Sequence, residues 1–151
     1  MRLSLAIGNR LLEKSCSPSS QDVGIQICDA QIRCPDLAID WGPFIDGDYI
    51  ASDPCAVFEV LSLSTRPCDQ TMKLGEYKSV ARLRHFLLID ADSAEILAYV
   101  RGEDGAWSSR TLAGRDAVVD FADIGFSLPL ADAYRGPTFR PRAILVMPDE
   151  L

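Results

Sequence analysis

One carboxylate lies inside an apolar run. Residues 56–61 read AVFEVL, and Glu59 stands among them with Val57 and Leu61 on the same side of an extended chain. An ionised, unpaired carboxylate there is costly to desolvate. Three outcomes are open: a raised pKa, a salt bridge to an Arg or Lys near the strand end, or a metal ion. Asp36 follows Pro35 and precedes the apolar LAI of residues 37–39, at the mouth of a second short strand. Taken alone, an Asp after Pro is a common turn or cap residue. If the two strands are neighbours, Asp36 and Glu59 converge. Two such charges about 4 Å apart repel by about 4 kcal/mol at an effective dielectric of 20. A divalent cation removes that penalty, and two carboxylates plus waters are a usual set for Mg²⁺.

Lys73 is the third residue out of place. It falls in the opening turns of an expected helix, where the dipole disfavours a cation by about 0.3–1 kcal/mol. Tyr77 follows one turn later on the same face. An ammonium beside a metal can steady charge developing on a phosphoryl oxygen or orient an attacking water. Ser62, Ser64 and Thr65 fill the turn between strand and helix, where hydroxyls satisfy backbone groups. His85, the single histidine, reads as a strand-end residue with no placed partner.

These residues need elements to hold them. Leu3, Ile7 and Leu11, with Leu12 beside them, set a helical face over residues 2–14, and SCSPSS at 15–20 breaks it. Strands are expected at 23–28, 37–39 and 56–61, with a Gly/Asp/Pro-rich loop from 41 to 54. Asp69 is placed to cap a helix over 70–81. HFLLID at 85–90, EILAYVR at 95–101 and a third strand at 107–112 form a meander with turns at 91–94 and 102–105. Residues 118–130 and 137–151 are weakly patterned. The order predicts an α/β fold with a mixed sheet flanked by helices: a single domain over 1–135 and a tail over 136–151.

Composition narrows the chemistry. The chain has 151 residues and a net charge of −7, with 15 Lys and Arg against 22 Asp and Glu. A protein that grips nucleic acid by bulk charge would be basic, so contact with a polyanion needs a local basic patch or a bound metal. With one histidine there is no HExxH helix or paired-histidine zinc site. The five cysteines, Cys16, Cys28, Cys34, Cys55 and Cys68, form no CxxC and fit a reducing compartment. The N-terminal stretch lacks a signal-peptide pattern, and no apolar run reaches the length of a membrane span. The expectation is a soluble, cytoplasmic protein with no membrane partner.

CPDLAID, then VFEVLSLSTRPCDQTMKLGEYKSV, then RHFLLIDADSAEILAYVRGEDGAW resemble the Uma-two family of restriction endonucleases, within the PD-(D/E)XK nuclease superfamily. The likeness runs from Cys34 to Trp107, with a weaker echo over residues 125–134. It implies a restriction-endonuclease-like mixed sheet and Mg²⁺-dependent hydrolysis of DNA phosphodiesters, with Mn²⁺ as a substitute. It implies metal-ligand roles for Asp36 and Glu59, completed by the Val60 carbonyl. The superfamily lysine usually stands two residues after the acid, where this chain has Leu61, and Lys73 matches the lysine the family carries in the following helix. Against the family pattern the chain reads as N-terminally shortened, with Glu13 as the candidate replacement for an acid from that region. Phe86 and Leu87 stand where the family has its Trp motif. A shortened sheet would expose an edge strand and invite a homodimer. The competing function is a catalytically silent module of the same fold that binds protein or nucleic acid.

Overall fold

The computed structural model describes residues 3–20, 22–42, 47, 49–61 and 67–134. Ser62, Ser64, Thr65 and the expected tail lie outside them, as do the side chains of residues 67–69.

The chain runs α1 (Leu3–Leu11), β1 (Ser17–Ser20), β2 (Ile25–Cys28), β3 (Gln31–Arg33), β4 (Leu37–Asp40), β5 (Pro54–Leu61), α2 (Pro67–Lys78), β6 (His85–Asp90), β7 (Glu95–Arg101), β8 (Trp107–Ala113), β9 (Val118–Phe121), β10 (Phe126–Pro129) and α3 (Leu130–Ala133). Six strands form one mixed sheet in the order β1-β4-β5-β6-β7-β8. Only β5 and β6 run parallel, and α2 supplies the crossover that a parallel pair requires. The others pair antiparallel, β6–β7–β8 being the expected meander. Hairpins β2–β3 and β9–β10 stand outside this sheet.

The sheet is covered on both faces, which is why β5 reads as a nearly continuous apolar run. One face carries Leu37, Ile39, Ala56, Phe58, Leu87 and Ile89 against α1, β9–β10 and α3. The other carries Ala38, Val57, Phe86 and Leu88 against α2, through Tyr77, and β2, through Ile25. Phe58, Phe86 and Tyr77 are fully buried. Each such burial contributes on the order of 1.5–3 kcal/mol.

Several expectations change. The helix at the N-terminus stops at Leu11, and Leu12 is exposed rather than part of the buried face. The expected breaker contains β1, an edge strand paired to β4 through Ser17–Asp40 and Ser20–Leu37. An edge tolerates Pro18, whose missing N–H faces away from the sheet. The α2 helix begins at Pro67 and ends at Lys78, so Asp69 lies within it and not at its cap. Residues 118–130, weak in pattern, form the short hairpin β9–β10 and the start of α3. Among the described residues Cys16, Cys28, Cys34 and Cys55 are free thiols, and no helix is long and apolar enough to span a membrane.

Candidate active site

Register brings the two acids together. Leu37 pairs with Phe58 in the antiparallel β4–β5 ladder, so Asp36, one residue before β4, stands opposite Glu59. Alternation then puts Glu59 with Val57 on the α2 face, as the sequence pattern implied. The Oδ2 of Asp36 accepts the backbone N–H of Val60 at 2.7 Å. That bond turns the Val60 backbone edge toward Asp36, where the Val60 carbonyl was expected to serve. Asp36, Leu37 and Val60 also line a cleft of about 260 Å³ with Leu3 and Ser4 of α1. The first turn of α1 therefore borders the cleft at Asp36. Glu13 follows the far end of that helix, roughly 15 Å from its first turn at 1.5 Å per residue.

Glu59 is held from α2. The Tyr77 hydroxyl donates to Glu59 Oε1 at 3.0 Å, and the Lys73 ammonium lies 3.7 Å from Oε2. Lys73 and Tyr77 are four residues apart, so one helix face delivers both groups to one carboxylate. With α2 starting at Pro67, Lys73 sits in the second turn, where the dipole penalty has faded. The Glu59 side chain is 9% exposed, that of Lys73 33%. Burial pushes the Glu59 carboxyl above its ordinary value of 4.5, and the charge of Asp36 pushes the same way. Lys73 and the Tyr77 hydrogen bond oppose that rise without cancelling it. Burial and the neighbouring Glu59 likewise raise the Tyr77 phenol, which stays a donor. The salt-bridge and raised-pKa outcomes foreseen for Glu59 thus occur together.

A clamp next to this pair was not foreseen from the sequence. Arg33 at the end of β3 grips Glu76 through Nε to Oε2 at 2.6 Å and Nη2 to Oε1 at 2.8 Å. Gln31 Nε2 adds a bond to Glu76 Oε1 at 2.9 Å. The hydrogen bond from Arg33 holds the Glu76 carboxyl below its ordinary value. Arg33 lies three residues before Asp36, and Glu76 lies between Lys73 and Tyr77 on α2. The clamp therefore ties the segment bearing Asp36 to the helix bearing the groups that hold Glu59. Pattern reading could not have found it, because a three-residue strand carries no period.

His85 is not part of this cluster. It opens β6 on the opposite face and, contrary to expectation, has a partner: its Nε2 lies 2.6 Å from Asp123 Oδ1. Its ring packs on Phe121 with centroids 4.9 Å apart. Burial depresses its pKa despite Asp123. Among the described residues its buried Nδ1 has no partner, as suits a neutral ring protonated on Nε2.

What this arrangement can hold follows from its donors. Asp36 and Glu59 offer hard carboxylate oxygens, with a backbone edge between them. Among the described residues no third His, Cys, Asp or Glu joins them. Such a set suits a cation that keeps most of its waters, as Mg²⁺ does, and not a caged zinc or calcium ion.

Three comparisons bear on this geometry. The Uma2 family model, described as "Putative restriction endonuclease", matches residues 1–131. Two uncharacterized proteins of Synechocystis sp. (strain ATCC 27184 / PCC 6803 / Kazusa) are similar in sequence. With slr1290 the chain is 32% identical over 141 residues, covering 92% of this chain and 74% of that protein. With sll1609 it is 29% identical over 124 residues, covering 80% and 68%. A crystal structure from Anabaena variabilis ATCC 29413, described as a "putative nuclease belonging to DUF820", superposes with a TM-score of 0.66. It covers 87% of this chain and 75% of its own at 16% identity, and so shares the fold.

Proposed function

The chain belongs to the Uma2 family of restriction-endonuclease-like proteins, and on that premise we propose that it is a metal-dependent endonuclease hydrolysing DNA phosphodiester bonds. The observation that carries the reading is the convergence of Asp36, Lys73 and Tyr77 on one buried carboxylate, Glu59. In a protein with no chemistry to perform, such a carboxylate is a cost that an apolar residue would avoid.

Asp36 and Glu59, with the Val60 carbonyl, would hold Mg²⁺ or Mn²⁺. A cation held there would supply a water of lowered pKa and offset phosphate charge. The chain's own groups do the positioning. Tyr77 fixes the Glu59 carboxylate through Oε1, leaving Oε2 to be shared with Lys73. The Lys73 ammonium, a third exposed, lies within reach of a phosphoryl oxygen beside Glu59 and steadies negative charge as it develops. The Asp36–Val60 bond fixes the second carboxylate relative to β5.

The test is a calorimetric Mn²⁺ titration beside a plasmid-nicking assay, for the wild type, Glu59→Gln and Lys73→Ala. Saturable Mn²⁺ binding lost in Glu59→Gln, and nicking lost in both variants, are expected. Nicking that survives both substitutions overturns the assignment. Absence of cleavage by the wild type, on duplex or single strand with either metal, selects the silent-module reading.

A further inference from the structure

We propose that the end of α2 and the adjoining strand face carry a second contact with the substrate: a surface for nucleic-acid phosphates built from Lys78, Arg84 and Arg101. The proposal rests on the nuclease reading above and names where the substrate lies beyond the scissile bond.

Charge sets the starting point. Between Lys73 and Arg84 stand four cations (Lys73, Lys78, Arg82, Arg84) and one acid, Glu76, for a local net charge of +3. With −7 for the whole chain, −10 is left outside this stretch. A polyanion approaching the described fold is attracted here and repelled by most of the rest.

The local geometry breaks an electrostatic rule. His85 pairs with Val100, so Arg84 is the neighbour of Arg101, whose N–H donates to the Arg84 carbonyl at 2.9 Å. Alternation places both on the α2 face, with Phe86 and Tyr99. Like charges directly opposite across strands are destabilising, and among the described residues no acid forms an ion pair with either arginine. Arg101 stacks on Trp107 at 4.8 Å and donates to the carbonyls of Lys78, at 2.6 Å, and Ala81. These partners are all neutral. Lys78 lies 5.4 Å from the centre of the Tyr99 ring. Among the described residues the buried Nε of Arg84 has no hydrogen-bond partner. Among the described residues none of the three forms an ion pair, whereas the nearby Arg82 and Arg33 are taken by Asp53 and Glu76. Asp104, in the adjoining turn, spends its Oδ1 on the Ala106 N–H. Among the described residues three cations thus share one face without an ion-paired acid, and a bound phosphodiester removes the conflict. Guanidinium groups suit phosphate oxygens because their N–H donors form a planar fork.

Distance places the contact relative to the chemistry. The Arg84 N–H donates to the Cys55 carbonyl at 2.9 Å. Cys55 lies four residues before Glu59 on β5, roughly 13 Å at 3.3 Å per residue. That is about four base steps of duplex rise at 3.4 Å per step.

The experiment is metal-free binding of a fluorescent 20-base-pair duplex, followed by anisotropy from roughly 50 to 300 mM KCl. Lys78→Gln and Arg84→Gln should each lower the slope of log K against log salt by about 0.9 and weaken binding about three- to tenfold at 0.1 M salt. Arg84→Lys, which keeps the charge, should retain the wild-type slope and so separates charge from folding. Arg110→Gln, on the opposite face of β8, should match the wild type. If Lys78→Gln and Arg84→Gln keep the wild-type slope while Glu59→Gln still abolishes nicking, the surface is wrong and the nuclease reading stands. If their slopes fall but no metal supports cleavage, the nuclease reading fails and the surface stands. A wild type with no salt-dependent binding overturns the surface.

Discussion

Tyr77→Phe isolates the hydrogen bond that holds Glu59. The substitution keeps the ring, which is fully buried and packs on Phe86 with centroids 5.0 Å apart, and removes only the hydroxyl. The lost bond spans 3.0 Å to Glu59 Oε1. To an ionised carboxylate such a bond is worth about 1.5–3 kcal/mol, to a neutral one about 0.5–1.5 kcal/mol. The cost should therefore depend on pH. Burial raises the Glu59 pKa in the fold above its ordinary 4.5, so the stability linked to this group is full below pH 4.5 and declines as pH rises through the folded value. Removing the Tyr77 donor raises the folded value further and extends that decline. The penalty of Tyr77→Phe should then be about 1 kcal/mol smaller at pH 4 than at pH 7.5. For a domain of this size, 1.5–3 kcal/mol is a fall in Tm of about 3–12 °C at the higher pH. Urea unfolding of wild type and variant at five pH values measures the difference directly. In a Glu59→Gln background the pH dependence should vanish, because the amide does not titrate. A penalty equal at every pH in the Glu59 background would refute the reasoning, since Glu59 would not be titrating against Tyr77.

Two further outcomes follow from the same structure. Arg33→Ala should cost about 1–2 kcal/mol by removing a two-pronged, charge-assisted contact with Glu76, and Arg33→Lys should restore only part of it because the fork is lost; thermal unfolding that finds Arg33→Lys equal to wild type would sink this account. His85 is held below its ordinary 6.5 by burial, so the unfolded chain takes the proton first and stability should fall as pH drops below 6.5, by at most about 1.4 kcal/mol per pH unit. As the chain has one histidine, urea unfolding of His85→Gln should lose the slope between pH 6.5 and the onset of carboxylate titration, and an unchanged slope would exclude His85 as its source.

The parts of the site legible in the sequence were those governed by local periods. β5 announces itself because burial on both faces leaves no alternation, so a single charge such as Glu59 stands out. Lys73 and Tyr77 are four apart, and any helix through them puts both on one face. What stayed hidden depends on pairing between distant segments. β1 is polar and lies at a sheet edge, so its four residues resemble a breaker until β4 is beside them. β3 has three residues, and its contribution, Arg33, acquires meaning only against Glu76, 43 positions later. His85 gained its partner from the weakly patterned segment that became β9–β10.

The same distinction explains how the candidate site is held at its working dimensions. A lysine two residues after Glu59 on β5 would have its place fixed by the strand itself, but Leu61 occupies that position. Lys73 comes instead from α2, so its distance from Glu59 is a docking distance between helix and sheet. Two contacts govern that docking near the site: Tyr77 against Glu59 from within, and Glu76 against Arg33 from the side. The second also anchors the chain three residues before Asp36. Loosening the clamp should therefore displace Asp36 and Lys73 relative to Glu59 together, whereas losing the Tyr77 hydroxyl should act first on Glu59 and leave Asp36 in place. The two contacts are made by neighbouring residues of α2, Glu76 and Tyr77, so their effects on stability should be non-additive by at least about 0.5 kcal/mol.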